Sequence, residues 1–146
     1  MSITVRINKR NIAVPLDNNI VRKLIRKVFR HFKVRNAVVE IEIVGDYRIK
    51  NLNYKFLKRN RITDCISFDL SEKNRYLYLI VVNAQKAKRE AKKRRIKSQT
   101  ELLLYIVHGL LHNLGFNDNN KHAAALMHKT EASFLHQIGD GPVYNN

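Results

Sequence analysis

The sequence predicts an α+β fold, one domain over residues 1–146 with a sheet of about four strands packed against helices. Three observations lead there. Apolar residues make up 45% of the 146 positions, enough for a core at single-domain length. Some stretches alternate apolar and polar residues, while others repeat apolar residues at spacings of three and four. The two kinds mix without strict strand–helix alternation, and no internal repeat or Pro/Gly/Ser-rich linker divides them.

In chain order, residues 3–8 alternate as a half-buried strand does. Asp17 or Asn18 can cap a helix reaching Phe32, with Val21, Leu24, Ile25, Val28 and Phe32 as its apolar stripe and Arg22, Lys23, Arg26, Lys27 and Arg30 opposite. Residues 38–44 read as a strand. A short helix follows Gly45, with Ile49, Leu52, Asn53 and Phe56 on one side. Residues 65–70 and 76–82 read as two further strands, and residues 84–95 as a very basic helix. Residues 99–114 form a strongly apolar helix. The last helix, 120–138, places Ala123, Met127, Phe134 and Ile138 on one face.

Charge narrows the function. Lys and Arg number 28 against 12 acidic residues, a net charge of +16 and a pI near 10.3. A field of that size attracts polyanions, and nucleic acid leads among them because no segment reads as an amphipathic membrane anchor. The densest cations are Lys86, Lys88, Arg89, Lys92, Lys93, Arg94, Arg95 and Lys97, followed by Lys55, Lys58, Arg59 and Arg61. Of these, Lys58, Arg59, Arg61, Lys92, Lys93, Arg94 and Arg95 are the candidate RNA-binding residues. The apolar runs, residues 76–82 and 102–107 among them, are far short of the roughly 20 residues a membrane span needs. The opening MSITVRINKR lacks the apolar core of a secretory signal. Cys65 is the one cysteine and has no disulfide partner within the chain. A cytoplasmic protein is the expectation.

The chemistry concentrates in HGLLHNLGFND, residues 108–118. His108 and His112 are four apart, so they project from the same face of a helix and can ligate one metal. Glu101, Tyr105, His108 and His112 form a polar stripe on an otherwise apolar helix. Gly115 supplies the left-handed residue of a sharp helix stop, after which Asp118 can turn back toward the histidines. Zinc is the expected ion, one per chain, and three protein ligands would leave one position open for water. Asp118 also reads as an N-cap of the last helix. His122 is the competing third ligand, whereas His31, His128 and His136 have no partner spacing and read as solvated. The spacing His-x₃-His-x₅-Asp also fits a metzincin-type metallopeptidase, but the position of that enzyme's Glu base is Gly109.

The same residues resemble the signature of the YbeY family, HGxLHLxGYDH. His108, Gly109, Leu111, His112 and Gly115 match it and Phe116 matches conservatively. Leu52-Asn53 and Thr63-Asp64-Cys65-Ile66-Ser67-Phe68 resemble its LN…TDVLSF block, and Glu101, Met127 and Glu131 keep its spacing. The resemblance spans roughly residues 52–131. It implies a zinc-dependent, single-strand-specific endoribonuclease of ribosomal RNA maturation at the small-subunit 3′ end. Its implied partners are single-stranded or ribosomal RNA and the small ribosomal subunit. His108 and His112 would act through the metal, and Thr63 and Ser67 would line the cleft, although from the residues alone both read first as hydrogen-bonding positions of a strand. This chain departs from the pattern in three places. Asp118 stands for the family's third histidine, Leu57 for an arginine, and the Gly-Asp pair is missing near Leu77 and Tyr78. A non-catalytic RNA binder with a retained metal, and a metallopeptidase without its Glu base, are the alternatives.

Overall fold

In the computed structural model, residues 2–10 and 12–141 are described. Within them the order is β1 (Ser2–Lys9), α1 (Asn18–His31), β2 (Asn36–Val44), α2 (Asp46–Leu57), β3 (Cys65–Asp69), β4 (Tyr76–Asn83), α3 (Ala84–Arg94), α4 (Ser98–Asn113) and α5 (Lys121–Gln137). The strands form one mixed sheet in the order β1-β2-β4-β3. β1 and β4 flank β2 in parallel, and β3 pairs antiparallel with β4 as the far edge. The α+β expectation holds.

Alternation in the strands decides what each sheet face carries. Val39, Ile41, Ile43, Tyr78, Ile80 and Val82 join the main core with α1, α3, α4 and α5. Val44, Ile66 and Val81 point the other way and pack with Ile49 of α2 in a smaller cluster. Glu40 and Glu42 of β2 are answered by Arg6 at 3.1 Å and Arg10 at 2.9 Å, respectively. These are exposed pairs that contribute little individually.

Sequence and structure differ in four places. Phe32, the half-buried C-cap of α1, packs against the core at the end of the stripe but is not its most buried residue. Phe29, four residues after Ile25, takes the buried place instead. Phe56 is 54% exposed. It rests edge-on against Phe68 at 5.5 Å, at the rim of the small cluster, because the face of α2 centred on Ile49 and Asn53 turns it outward. Leu70 is exposed, one residue past the end of β3. On α5 the buried positions are Met127, Glu131, Phe134 and Leu135, while Ala123 and Ile138 are only partly covered. No helix among the described residues is long and apolar enough to cross a membrane.

The helix ends follow from local chemistry. Asp17 caps α1 by accepting from the Asn19 N–H at 2.9 Å. Asn83, fully buried, accepts from the N–H groups of Gln85 and Lys86, and its amide donates to Asp46 and to the Thr63 carbonyl. That single side chain therefore ties the start of α3 to α2 and to the segment entering β3.

Candidate metal centre

α4 is the central helix, with Leu102, Leu103, Ile106, Val107, Leu110 and Leu111 all fully buried. At Gly109 it lies directly against the sheet. A β-carbon there would lie 2.7 Å from Cys65 Sγ and 2.9 Å from Ile80 Cγ2. The glycine thus lets the helix lie against β3 and β4, and the same lack of space excludes a peptidase-type Glu at this position. Gly109→Ala should lose stability by overpacking, by about 1–3 kcal/mol, offset by about 1 kcal/mol of helix propensity. Denaturant unfolding of Gly109→Ala, Cys65→Ala and the double variant isolates the clash, and its cost should fall once the sulfur is gone.

α4 stops in a Schellman motif. Gly115 adopts φ +100, its N–H bonds to the His112 carbonyl at 3.1 Å, and the Phe116 N–H bonds to the Leu111 carbonyl at 3.0 Å. This turn brings the Phe116 carbonyl to within 3.1 Å of His112 Nδ1 and carries the chain back so that Asp118 Oδ2 lies 3.9 Å from His112 Nε2. His108, His112 and Asp118 each offer a ligand atom, all within 4.8 Å of one another. Among the described residues no other group of His, Cys, Asp or Glu does so.

The hydrogen bonds fix which ring nitrogens face inward. Glu131, buried on α5, accepts from His108 Nδ1 at 2.6 Å, and the Phe116 carbonyl accepts from His112 Nδ1. A carbonyl and a carboxylate only accept, so both Nδ1 atoms carry hydrogen. In the neutral rings both Nε2 atoms then present lone pairs, and they face each other at 3.1 Å. Two lone pairs at that distance need a cation between them. The separation is close to that of two nitrogens on one tetrahedral ion with bonds of about 2.0–2.1 Å. The donor set fits a borderline metal such as zinc, and the paired acceptors are the outer contacts that orient metal-binding histidines.

Without metal, a proton is the only cation available. Burial lowers the His108 pKa, but the adjoining Glu131 carboxylate, with Asp64 and Asp118, outweighs it, so His108 titrates above its ordinary range. Two consequences follow. In the metal-free protein, the His108–Glu131 pair contributes stability that is complete below about pH 6.5 and is lost as pH rises through the raised value. Metal competes with that proton, so its affinity should rise with pH through the same window. Titrating a metal-free sample with zinc at several pH values, alongside thermal unfolding, should give opposite slopes for the two quantities.

The other expected site residues sit as follows. Asn120 caps α5, so Asp118 is free of that role and half-exposed. His122 is exposed in the first turn of α5 and outside the ligand group. His31, His128 and His136 are exposed as expected, but His128 Nδ1 lies 3.4 Å from Glu131 Oε2 and so does have a partner. Ser67 faces α4 beside Gly109, and the Thr63 carbonyl is taken by Asn83. The seven candidate RNA-binding cations are all exposed but end two different helices. Lys58, Arg59 and Arg61 follow α2, with Lys58 in a left-handed C-cap and Leu57 exposed before it. Lys92, Lys93, Arg94 and Arg95 close α3. Lys93 lies 3.6 Å from Glu90, and Arg94 lies 3.2 Å from Glu101. Glu101 is buried, and burial raises its pKa despite Arg94. The orienting role of Glu131 escapes a sequence reading that sees only its spacing, because its contact to His108 crosses 23 positions.

Known proteins bear directly on this geometry. A family model described as Endoribonuclease YbeY matches residues 2–139. An Endoribonuclease YbeY of Syntrophus aciditrophicus is 34% identical over 151 aligned positions, covering 98% of this chain and 94% of that protein. One from Buchnera aphidicola is 31% identical, covering 76% of this chain and 75% of that protein. A solution structure of a Thermotoga maritima protein shares the fold at TM-score 0.61 and 24% identity, covering 92% of this chain and 91% of that one. The match runs through the helix stop, the paired histidines and the sheet that supports them, and this chain belongs to the endoribonuclease YbeY family.

Proposed function

We propose that this chain cleaves single-stranded RNA at a zinc ion held by His108, His112 and Asp118. We propose further that its substrate is the 3′ end of small-subunit ribosomal RNA, met in the cytoplasm on or near the small subunit. The observation that carries the metal reading is the pair of Nε2 atoms facing each other at 3.1 Å with both Nδ1 hydrogens already committed. Family membership supports the endoribonuclease activity and the RNA substrate.

The chain's own residues divide the work. His108 and His112 hold the ion through Nε2, and Asp118 adds a carboxylate oxygen from the far side of the turn. Glu131 and the Phe116 carbonyl keep both rings in the ligating tautomer. Zinc, when bound, supplies Lewis acidity toward a phosphodiester oxygen and lowers the pKa of water. Lys58, Arg59, Arg61, Lys92, Lys93, Arg94 and Arg95 attract and hold the phosphate backbone without reading sequence.

The test offers single-stranded and fully duplex RNA carrying the same 3′ precursor sequence. Cleavage confined to the unpaired strand, stopped by a chelator and restored by zinc, is the expected result. Equal cleavage of the duplex, or indifference to the chelator, would overturn the proposal.

A further inference from the structure

A cavity of about 620 Å³ opens between the end of α1, the start of β2 and the β3–β4 turn. It lies outside the metal centre, and its size falls within the roughly 300–1,000 Å³ common for ligand sites. Its walls carry Lys33, Arg35 and Arg75, one acid, Glu72, and the rings of Phe32 and Tyr76. Glu72 and Arg75 pair through their backbones, and none of the three cations makes an ion pair among the described residues. Tyr76 is 51% exposed, and its ring has an aromatic neighbour within the strand. It stacks on Tyr78 with centroids 6.2 Å apart and planes at 21°, and Tyr78 is buried against Phe29 at 6.1 Å.

One wall of this groove touches the turn that follows α4. The Phe32 ring that lines it lies 5.6 Å from the ring of Phe116, whose carbonyl orients His112. Unpaired cations beside a half-exposed aromatic ring are what a single-stranded nucleic acid needs, because phosphates take the charges while a base takes the ring face.

The geometry points to a substrate subsite here: a single-stranded RNA segment flanking the cut lays a base on Tyr76 and its phosphates on Lys33, Arg35 and Arg75. The inference rests on the ribonuclease reading and adds where the strand runs.

Binding of a labelled 2′-O-methyl single-stranded oligonucleotide to the zinc-loaded protein tests it across a range of salt. Lys33 sits at φ +58, a conformation glycine adopts freely, so Lys33→Gly removes the charge without straining the turn. Combined with Arg35→Gln and Arg75→Gln, it should reduce the slope of log K against log salt by about 2, at about 0.7 per phosphate contact. Tyr76→Ala should weaken binding about 10-fold or more and leave the slope unchanged. Unfolding midpoints equal to wild type exclude a folding artefact. The subsite is overturned if wild type binds while both variants match it, or if only neutralising Lys92 and Lys93 changes the slope. It is also overturned if polyglutamate competes as well as RNA. Failure of wild type to bind RNA at all would instead remove the ribonuclease reading together with the subsite.

Discussion

His108→Ala and His112→Ala should each reduce bound zinc from about one ion per chain to none that survives dialysis. Metal-dependent RNA cleavage should disappear with it. Each ring supplies an inward-facing Nε2, and the two stand 3.1 Å apart. Removing either leaves one nitrogen and a half-exposed carboxylate, too few ligands for a tight site. Asp118→Ala should weaken zinc binding strongly, because its oxygen lies 3.9 Å from His112 Nε2, while His122→Ala should leave binding unchanged. Metal analysis of the four purified variants decides between them. A damaging His122→Ala with a silent Asp118→Ala would mean that the third ligand is misassigned.

Glu131→Gln should cost about 10–100-fold in zinc affinity, the usual penalty for losing the carboxylate behind a ligating histidine. The substitution keeps the volume and an accepting oxygen but removes the charge from a buried position 2.6 Å from His108 Nδ1. It should also move the His108 titration of the metal-free protein downward, because Glu131 is the main partner raising that pKa against burial. Calorimetric zinc titration reads the first effect, and histidine NMR of the metal-free protein reads the second. An affinity loss without the pKa movement would show that Glu131 acts by packing alone.

Much of this was legible in the sequence because the signals are local. The i, i+4 histidines, the helix-stopping Gly115 and the carboxylate beyond it are all set by backbone geometry within eleven residues. All nine expected elements are present, with ends that shift by one or two residues where caps decide them. Three features depended on tertiary contacts instead. The outward turn of Phe56 depends on how α2 settles on β3 and β4. The need for Gly109 depends on Cys65 and Ile80, which approach it only in the folded sheet. The role of Glu131 depends on α5 lying beside α4. The groove at Tyr76 likewise gathers residues from three separate segments, none of which carries a motif.

Asp118 stands where the resemblance implies a histidine, and its carboxylate still lies within 4.8 Å of the ligand atoms of His108 and His112. Asp118→His exchanges an anionic ligand for a neutral one, which raises the net positive charge at the centre and should move the pH dependence of cleavage toward neutrality. A pH profile of the zinc-loaded variant beside wild type would measure this.

The most direct test of the account is a titration of metal-free protein with zinc, following cleavage of single-stranded RNA and bound metal in the same samples. The rate should rise in proportion to bound zinc and level off at about one ion per chain, and the His108→Ala protein should remain at background throughout. Full cleavage by the metal-free protein, or by His108→Ala, would contradict the assignment of the reaction to this centre.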